Sequence, residues 1–386
     1  MRLKSSLVLI SLLIISTDIF AFEVGHTSIV FFDSSRNRNI ETEIYYPAEN
    51  PGENIPIALG NFPVIIFGHG FLMNWESYQN FWTELVPNGY VICFPTTEMG
   101  ISPSHENFGI DLKFLATQMQ NENEDINSLF FNSLAPKTGL MGHSMGGGAS
   151  FLGAENNSTI STLINFAAAE TNPSAISASA NITVPTLIFS GDDDCVTPSN
   201  ENQALMYDNL ASDCKTHIKI IDGGHCYFAN DNFTCTFGES LCNPMLNITR
   251  EKQQLITFDF LKLWLDYSLY DNQNAFVAFN DSLQTSSQIN FSQVCNTTSV
   301  QNLSEQNDIK FFPNPVHDNL NLVLPKENKE GLIEIYNIIG EKVYQDFIHK
   351  SEFQINLSGL SNGSYIMVFF SDSHKYSRKF IKTGGN

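Results

Sequence analysis

Three kinds of side chain in this chain of 386 residues could together carry out acyl transfer: a serine, a carboxylate and a histidine. The serine is Ser144. It lies in Gly142-His143-Ser144-Met145-Gly146, and Gly147 and Gly148 follow. A G-x-S-x-G pentapeptide lets a serine project from a tight strand-to-helix turn, because the small flanking residues let the backbone bend without clashing. The N–H after such a serine faces the same space and can help hold an oxyanion. Alone, the pentapeptide is equally a glycine-rich turn that contains a serine. A strand before it and a helix after it are what give it chemical meaning. The run 138–142 is short and apolar, and 144–154 is rich in Ala, Met, Leu and Gly, as a helix packed closely on a sheet would be. The carboxylates stand in Gly191-Asp192-Asp193-Asp194-Cys195-Val196-Thr197-Pro198, and the histidine in Asp222-Gly223-Gly224-His225. Serine is a poor nucleophile until a base takes its proton. The imidazole in turn needs a carboxylate to fix its tautomer and stabilise its charged form.

Such groups need a frame. Runs 28–32 and 41–46 read as a hairpin. Run 64–67 is wholly apolar and leads into Gly68-His69-Gly70. Runs 90–94, 140–141, 162–166, 186–189 and 217–221 complete a series of strands, with helical segments at 76–86, 109–121 and 199–210. Apolar runs without alternation suit strands buried on both faces. Their alternation with helices means an open α/β sheet, whose site lies at the carboxyl ends of the strands. Ser144, an aspartate near 194 and His225 each follow a different strand. They occur in the order Ser, Asp, His, the chain order of the α/β-hydrolase triad.

The chain opens Met1-Arg2-Leu3-Lys4, continues with an apolar run over 7–15 and reaches Phe20-Ala21. This reads as a secretory signal peptide over 1–21, cleaved after Ala21. The apolar run is too short to span a bilayer. Net charge is −21. Residues 307–386 are balanced, with nine Lys/Arg and nine Asp/Glu, whereas 22–306 hold nine against 31. The break suggests a domain boundary near 306. The acidic body argues against nucleic acid and against anionic membrane surfaces as partners. Of seven cysteines, Cys93 falls in an apolar run and reads as a buried thiol. The other six allow fifteen pairings, and export permits disulfides. No pair of C-x-x-C motifs argues for a metal.

On these residues the body resembles the α/β-hydrolase superfamily, and more closely the dienelactone-hydrolase-like and cutinase-like polyester hydrolases, over about 63–266. The motifs are Gly142–Gly148, Val184-Pro185-Thr186-Leu187-Ile188, Asp194-Cys195-Val196-Thr197-Pro198 and Gly223-Gly224-His225. The resemblance implies a mostly parallel eight-stranded sheet with flanking helices, over 22–295. It implies Ser144 as nucleophile, His225 as base and Asp194, four residues before Pro198, as acid; Asp192 and Asp193 are the rivals. It implies an oxyanion hole from the backbone N–H groups of Met145 and Phe71. No cofactor and no metal are expected. Those polyester hydrolases carry a substrate-stacking tryptophan after the strand that follows the nucleophile helix. Here Ala168-Ala169-Glu170 stands there, so Trp75 and Glu170 are the substrate-binding candidates, while Tyr78 reads as core. The insert 226–244 carries Tyr227, Phe228, Phe233, Phe237 and three cysteines, as a stapled lid would. On the implied fold, Cys195 would join Cys226, Cys235 would join Cys242, and Cys214 would join Cys295. Of the other histidines, His217 lies at the wrong end of the sheet, His69 shapes its turn, and His143 packs beside the serine.

The tail alternates polar and apolar residues at 319–324, 332–336, 353–357, 365–370 and 376–381, the pattern of a small all-β Ig-like sandwich over 308–386. Residues 296–307 are polar and read as a linker. The tail resembles the C-terminal sorting domain of type IX secretion. The likeness rests on Phe312-Pro313-Asn314-Pro315-Val316, the run 335–343 and the run 357–365. It implies the secretion machinery as a partner, and a secreted or cell-surface protein of a Gram-negative bacterium that crosses the periplasm. The combined expectation is a monomeric serine esterase, polyester cleavage included. Its rivals are a serine peptidase or other acyl hydrolase on the same fold, and a non-catalytic surface-binding protein.

Overall fold

A computed structural model of the chain describes residues 21–242, 245–295 and 310–383, the last span apart from 315, 325–330, 338–340, 351 and 371–374. Residues 1–20 of the signal peptide and the whole linker at 296–307 lie outside the described residues. The chain divides into two compact units, Met1–Cys295 and Asn296–Asn386.

The first unit runs β1 (Glu23–Asp33), β2 (Arg38–Ala48), β3 (Gly52–Glu53), β4 (Phe62–Gly68), α1 (Gln79–Leu85), β5 (Val91–Pro95), α2 (His105–Glu124), β6 (Leu134–His143), α3 (Ser144–Ala154), β7 (Thr162–Phe166) and α4 (Ala175–Ser179). It continues β8 (Thr186–Gly191), α5 (Gln203–Asn209), β9 (Cys214–Ile220), α6 (Phe233–Ser240), α7 (Arg250–Tyr270), α8 (Gln273–Thr285) and β10 (Ile289–Cys295). One sheet holds all ten strands in the order β10-β9-β8-β7-β6-β4-β5-β2-β1-β3. The six strands from β9 to β5 are mutually parallel. The sequence implied eight strands. The additions are edge strands: β3, of two residues beside β1, and β10, antiparallel to β9 with Cys295 opposite Cys214.

Every residue of β4, β5, β7 and β8 is buried, which is why these strands read as unbroken apolar runs. Successive side chains of a strand point to opposite faces. In β4, Val64 and Ile66 therefore enter the core beneath α2 and α3, while Ile65 and Phe67 enter the core beneath α1, α7 and α8. Trp264 of α7 is fully buried in the second core and its indole N–H donates to Thr162 Oγ1 at 3.0 Å. Cys93, as expected, is a buried free thiol.

The second unit is all β. One sheet orders β11 (Lys310–Phe312), β12 (Asn319–Val323) and β15 (Glu352–Asn356). The other orders β14 (Lys342–Ile348), β13 (Gly331–Asn337), β16 (Gly363–Phe370) and β17 (Lys375–Lys382). All their pairings are antiparallel. Leu320, Leu322 and Ile355 of the first sheet share an apolar core with Ile333, Ile335 and Phe369 of the second. The period-two alternation of the tail thus buries one face of each sheet.

Candidate active site

Ser144 stands where β6 ends and α3 begins, with φ of 55°. That is the left-handed region, rarely taken by a residue with a side chain, and it holds the hydroxyl at the tip of the turn. Gly142 makes the turn possible, since a Cβ there would lie 2.3 Å from the Gly146 carbonyl oxygen.

The loops after β8 and β9 bring the other two groups to this turn. His225 Nε2 lies 2.9 Å from Ser144 Oγ, and His225 Nδ1 lies 2.8 Å from Asp194 Oδ2. Asp194 and His225 are 5% and 2% exposed, so this hydrogen-bonded chain is shielded from water up to the serine. Asp194 Oδ1 accepts the N–H groups of Val196 and Thr197 at 2.9 and 2.8 Å, and Thr197 Oγ1 donates to Oδ2 at 2.9 Å. Burial alone would raise the Asp194 carboxyl. His225 and the Thr197 donors outweigh it and hold the group below the usual carboxylate range. Asp192 pairs with Lys219 at 3.3 Å, and the Asp193 N–H donates to the Gly223 carbonyl.

His143 does more than pack beside the serine. Its Nε2 lies 3.0 Å from the His225 carbonyl, which can only accept, so Nε2 carries the proton. Its bare Nδ1 then accepts the Tyr78 hydroxyl at 3.0 Å, and that hydroxyl accepts the Gly70 N–H at 2.7 Å. Burial first, and then the neighbouring His225, hold His143 down to about 3, so it stays neutral near pH 7. One relay therefore ties the Gly68–Phe71 turn to the backbone of His225. His69 lies between the carbonyls of Gly70 and Thr97, 2.9 and 2.8 Å from its two nitrogens. His217 is 2.8 Å from Ser190 Oγ, away from the serine.

Phe71 and Met145 flank Ser144. Phe71 lines the same small cleft of about 130 Å³ as Ser144, His225, Met73 and Val196. Met145 is the second residue of α3, where a backbone N–H has no partner within the helix. Thr234, Cys235 and Gly238 of α6 close the far side of the cleft. A groove lined by Leu72, Met99 and Asn232 adjoins it through Met73 and Thr234. The larger cavity between α7 and α8 contains none of these groups. Among the described residues, no three His, Cys, Asp or Glu side chains are placed to hold a metal.

Two substrate-binding candidates from the sequence are not at the cleft. Trp75 is half-buried against the core on the α1 side, beside Tyr45. The Glu170 carboxylate accepts the Ile176 N–H at 3.0 Å, near the start of α4, and so serves that helix end. Two of the three disulfides also differ from expectation. Cys195 pairs with Cys242 and Cys226 with Cys235, while Cys214 pairs with Cys295 as expected. The loops that carry Asp194 and His225 are thus each clipped to the 235–242 segment rather than to one another.

One buried carboxylate was not singled out from the sequence. Glu239 of α6 is 4% exposed and accepts the His225 N–H at 2.5 Å and the Cys226 N–H at 3.3 Å. Its only sequence signal was a place between Cys235 and Cys242 in an otherwise acidic chain.

Residues 22–245 match the family model described as PET hydrolase-like, and residues 310–383 match the secretion system C-terminal sorting domain. No curated protein matches the chain.

Proposed function

Because the chain belongs to the PET hydrolase-like family, we propose that it is a serine hydrolase of carboxylic esters, working through an acyl-enzyme on Ser144. Its sorting domain marks it as a secreted or cell-surface protein. Passage through the periplasm of a Gram-negative cell belongs to the proposal.

What supports the mechanism most is the chain of two short contacts, Ser144–His225 and His225–Asp194, opening into an apolar cleft. His225 Nε2 takes the hydroxyl proton as Ser144 Oγ attacks the ester carbonyl. The carbonyl oxygen becomes an oxyanion, which the N–H groups of Met145 and Phe71 receive. Preorganised donors of this kind are each worth about 10²–10³ in rate. His225 then gives its proton to the departing alcohol oxygen, leaving Ser144 acylated. Water, deprotonated by the same imidazole, releases the acid and restores the serine. Asp194 keeps the Nδ1 proton on its own side and offsets the positive charge that His225 acquires in each half-reaction. The cleft beside Ser144 is small and walled by Phe71, Met73 and Val196. It therefore suits a short acyl group entered from an exposed apolar rim, and a polyester chain could lie along the adjoining groove.

The test is a panel of p-nitrophenyl esters of increasing acyl length, with a polyester film beside it. Turnover of acetate and butyrate esters, falling for long acyl chains, is expected. No turnover of any ester would sink the proposal.

A further inference from the structure

The lid helix α6 does more than wall the cleft. It is covalently clipped, by Cys235 in its first turn and by Cys242 just past its end, to the loops that carry the acid and the base. Cys242 is bonded to Cys195, the residue after Asp194, and Cys235 is bonded to Cys226, the residue after His225. The helix start is fixed as well, because Asn232 Oδ1 accepts the Cys235 N–H at 2.9 Å. Between the two cysteines, and four residues after Cys235, Glu239 points inward and is buried. A carboxylate at this depth is costly unless donors satisfy it. Its two donors are the backbone N–H groups of His225 and Cys226.

We infer that Glu239 is a positioning residue for the proposed hydrolysis: from the disulfide-fixed lid it grips the backbone of His225 and sets the imidazole between Ser144 and Asp194.

The other grips on this loop come from the body of the unit. Gln253 of α7 exchanges hydrogen bonds with both backbone groups of Gly224, at 2.9 Å each. Arg250 donates to the carbonyls of Cys226 and Ala229 at 2.5 and 2.6 Å. His143 faces the His225 carbonyl. All of these leave the His225 N–H to Glu239. An imidazole misplaced by even a fraction of an ångström loses its alignment with Ser144 Oγ, so the cost falls on the chemical step rather than on binding. The geometry is also local. A Cβ on Gly224 would lie 2.5 Å from Glu239 Oε1, so only glycine lets the carboxylate come this close to the loop.

The inference rests on His225 being the base, and the experiment separates the two claims. The full chain is assayed on p-nitrophenyl acetate, with kcat and KM measured for the wild type, E239A, E239D and E239Q, and with folding checked by near-UV circular dichroism. E239A is expected to lose at least tenfold in kcat with KM within about threefold. E239D, one methylene too short to reach both N–H groups, should fall between E239A and the wild type. E239Q keeps an acceptor oxygen and should recover most of kcat. A folded E239A or E239D with wild-type kcat overturns the inference, as does E239Q that is as slow as E239A. If E239A does not fold, a folded E239D with wild-type kcat, or an E239Q as slow as E239D, overturns the inference. A wild type with no turnover sinks the hydrolase proposal and this inference with it. Wild-type turnover undiminished in the variants sinks this inference alone.

Discussion

Asp194→Asn is expected to lower kcat by about 10⁴ while leaving the protein folded. The size follows from the hydrogen bonds around the carboxylate. Oδ1 is committed to two backbone donors, the N–H groups of Val196 and Thr197. An asparagine at 194 keeps its carbonyl oxygen on those donors, because turning its amide there would bring N–H against N–H. The amide NH₂ then faces His225 Nδ1, where Oδ2 now accepts at 2.8 Å. Facing a donor, Nδ1 must give up its proton and accept, so the neutral ring carries its proton on Nε2. That nitrogen can no longer take the proton of Ser144. The ring stays in place and the tautomer is wrong. Asp192→Asn is the control. Asp192 is exposed and its carboxylate pairs with Lys219, so its loss should change kcat by less than about threefold. Comparable losses in both variants would take the acid role away from Asp194.

The second large effect concerns stability. Gly146→Ala is expected to cost at least about 3 kcal/mol or to prevent folding. The third residue of α3 passes so close to the end of β4 that a Cβ there would lie 2.2 Å from both the Gly68 carbonyl carbon and oxygen, and 2.5 Å from the His69 oxygen. These are backbone atoms, which cannot swing aside as a side chain can. Relief requires α3 to back away from the turn that carries Phe71, which would also separate the two proposed oxyanion donors. Away from such a contact the same change would help, because alanine is favoured over glycine within a helix by about 1 kcal/mol. Gly238 of α6 supplies that comparison: a Cβ there meets nothing within 4 Å, and Gly238→Ala should be neutral or stabilising. Urea unfolding followed by tryptophan fluorescence reads the right unit, since Trp75, Trp82 and Trp264 all lie in it. A Gly146→Ala protein as stable as the wild type would refute this reading of the turn.

These two cases also show what the sequence made legible. The parallel strands were readable because a strand buried on both faces must be apolar throughout. Their ends then pointed to Ser144, the aspartate turn and His225 without any further information. Edge strands gave a weaker signal: β10 exposes alternate residues, and β3 is two residues long, so the sheet came out two strands wider than expected. The insert was harder. That it bore cysteines was plain, but which cysteine reached which loop depended on where α6 settled, and no periodicity fixes that. In the fold Cys195 meets Cys242 and Cys226 meets Cys235, with Glu239 between the two clips in sequence. In the sequence Trp75 follows the Phe71 turn closely, and Glu170 stands where the resembled family carries its tryptophan. Trp75 instead packs half-buried against the second core, and Glu170 is taken by the backbone donor of a helix end. His143 was visible in the elbow, but its relay needed Tyr78, 65 residues away, to be seen at all.

The most direct test of the central claim is covalent. The full chain is treated with a fluorophosphonate and digested, and the modified peptide is sequenced by mass spectrometry. A single phosphonyl adduct on Ser144 is expected, absent from Ser144→Ala and from protein unfolded before treatment. An unmodified Ser144 in the folded wild type, or an adduct formed equally in Ser144→Ala, would contradict it.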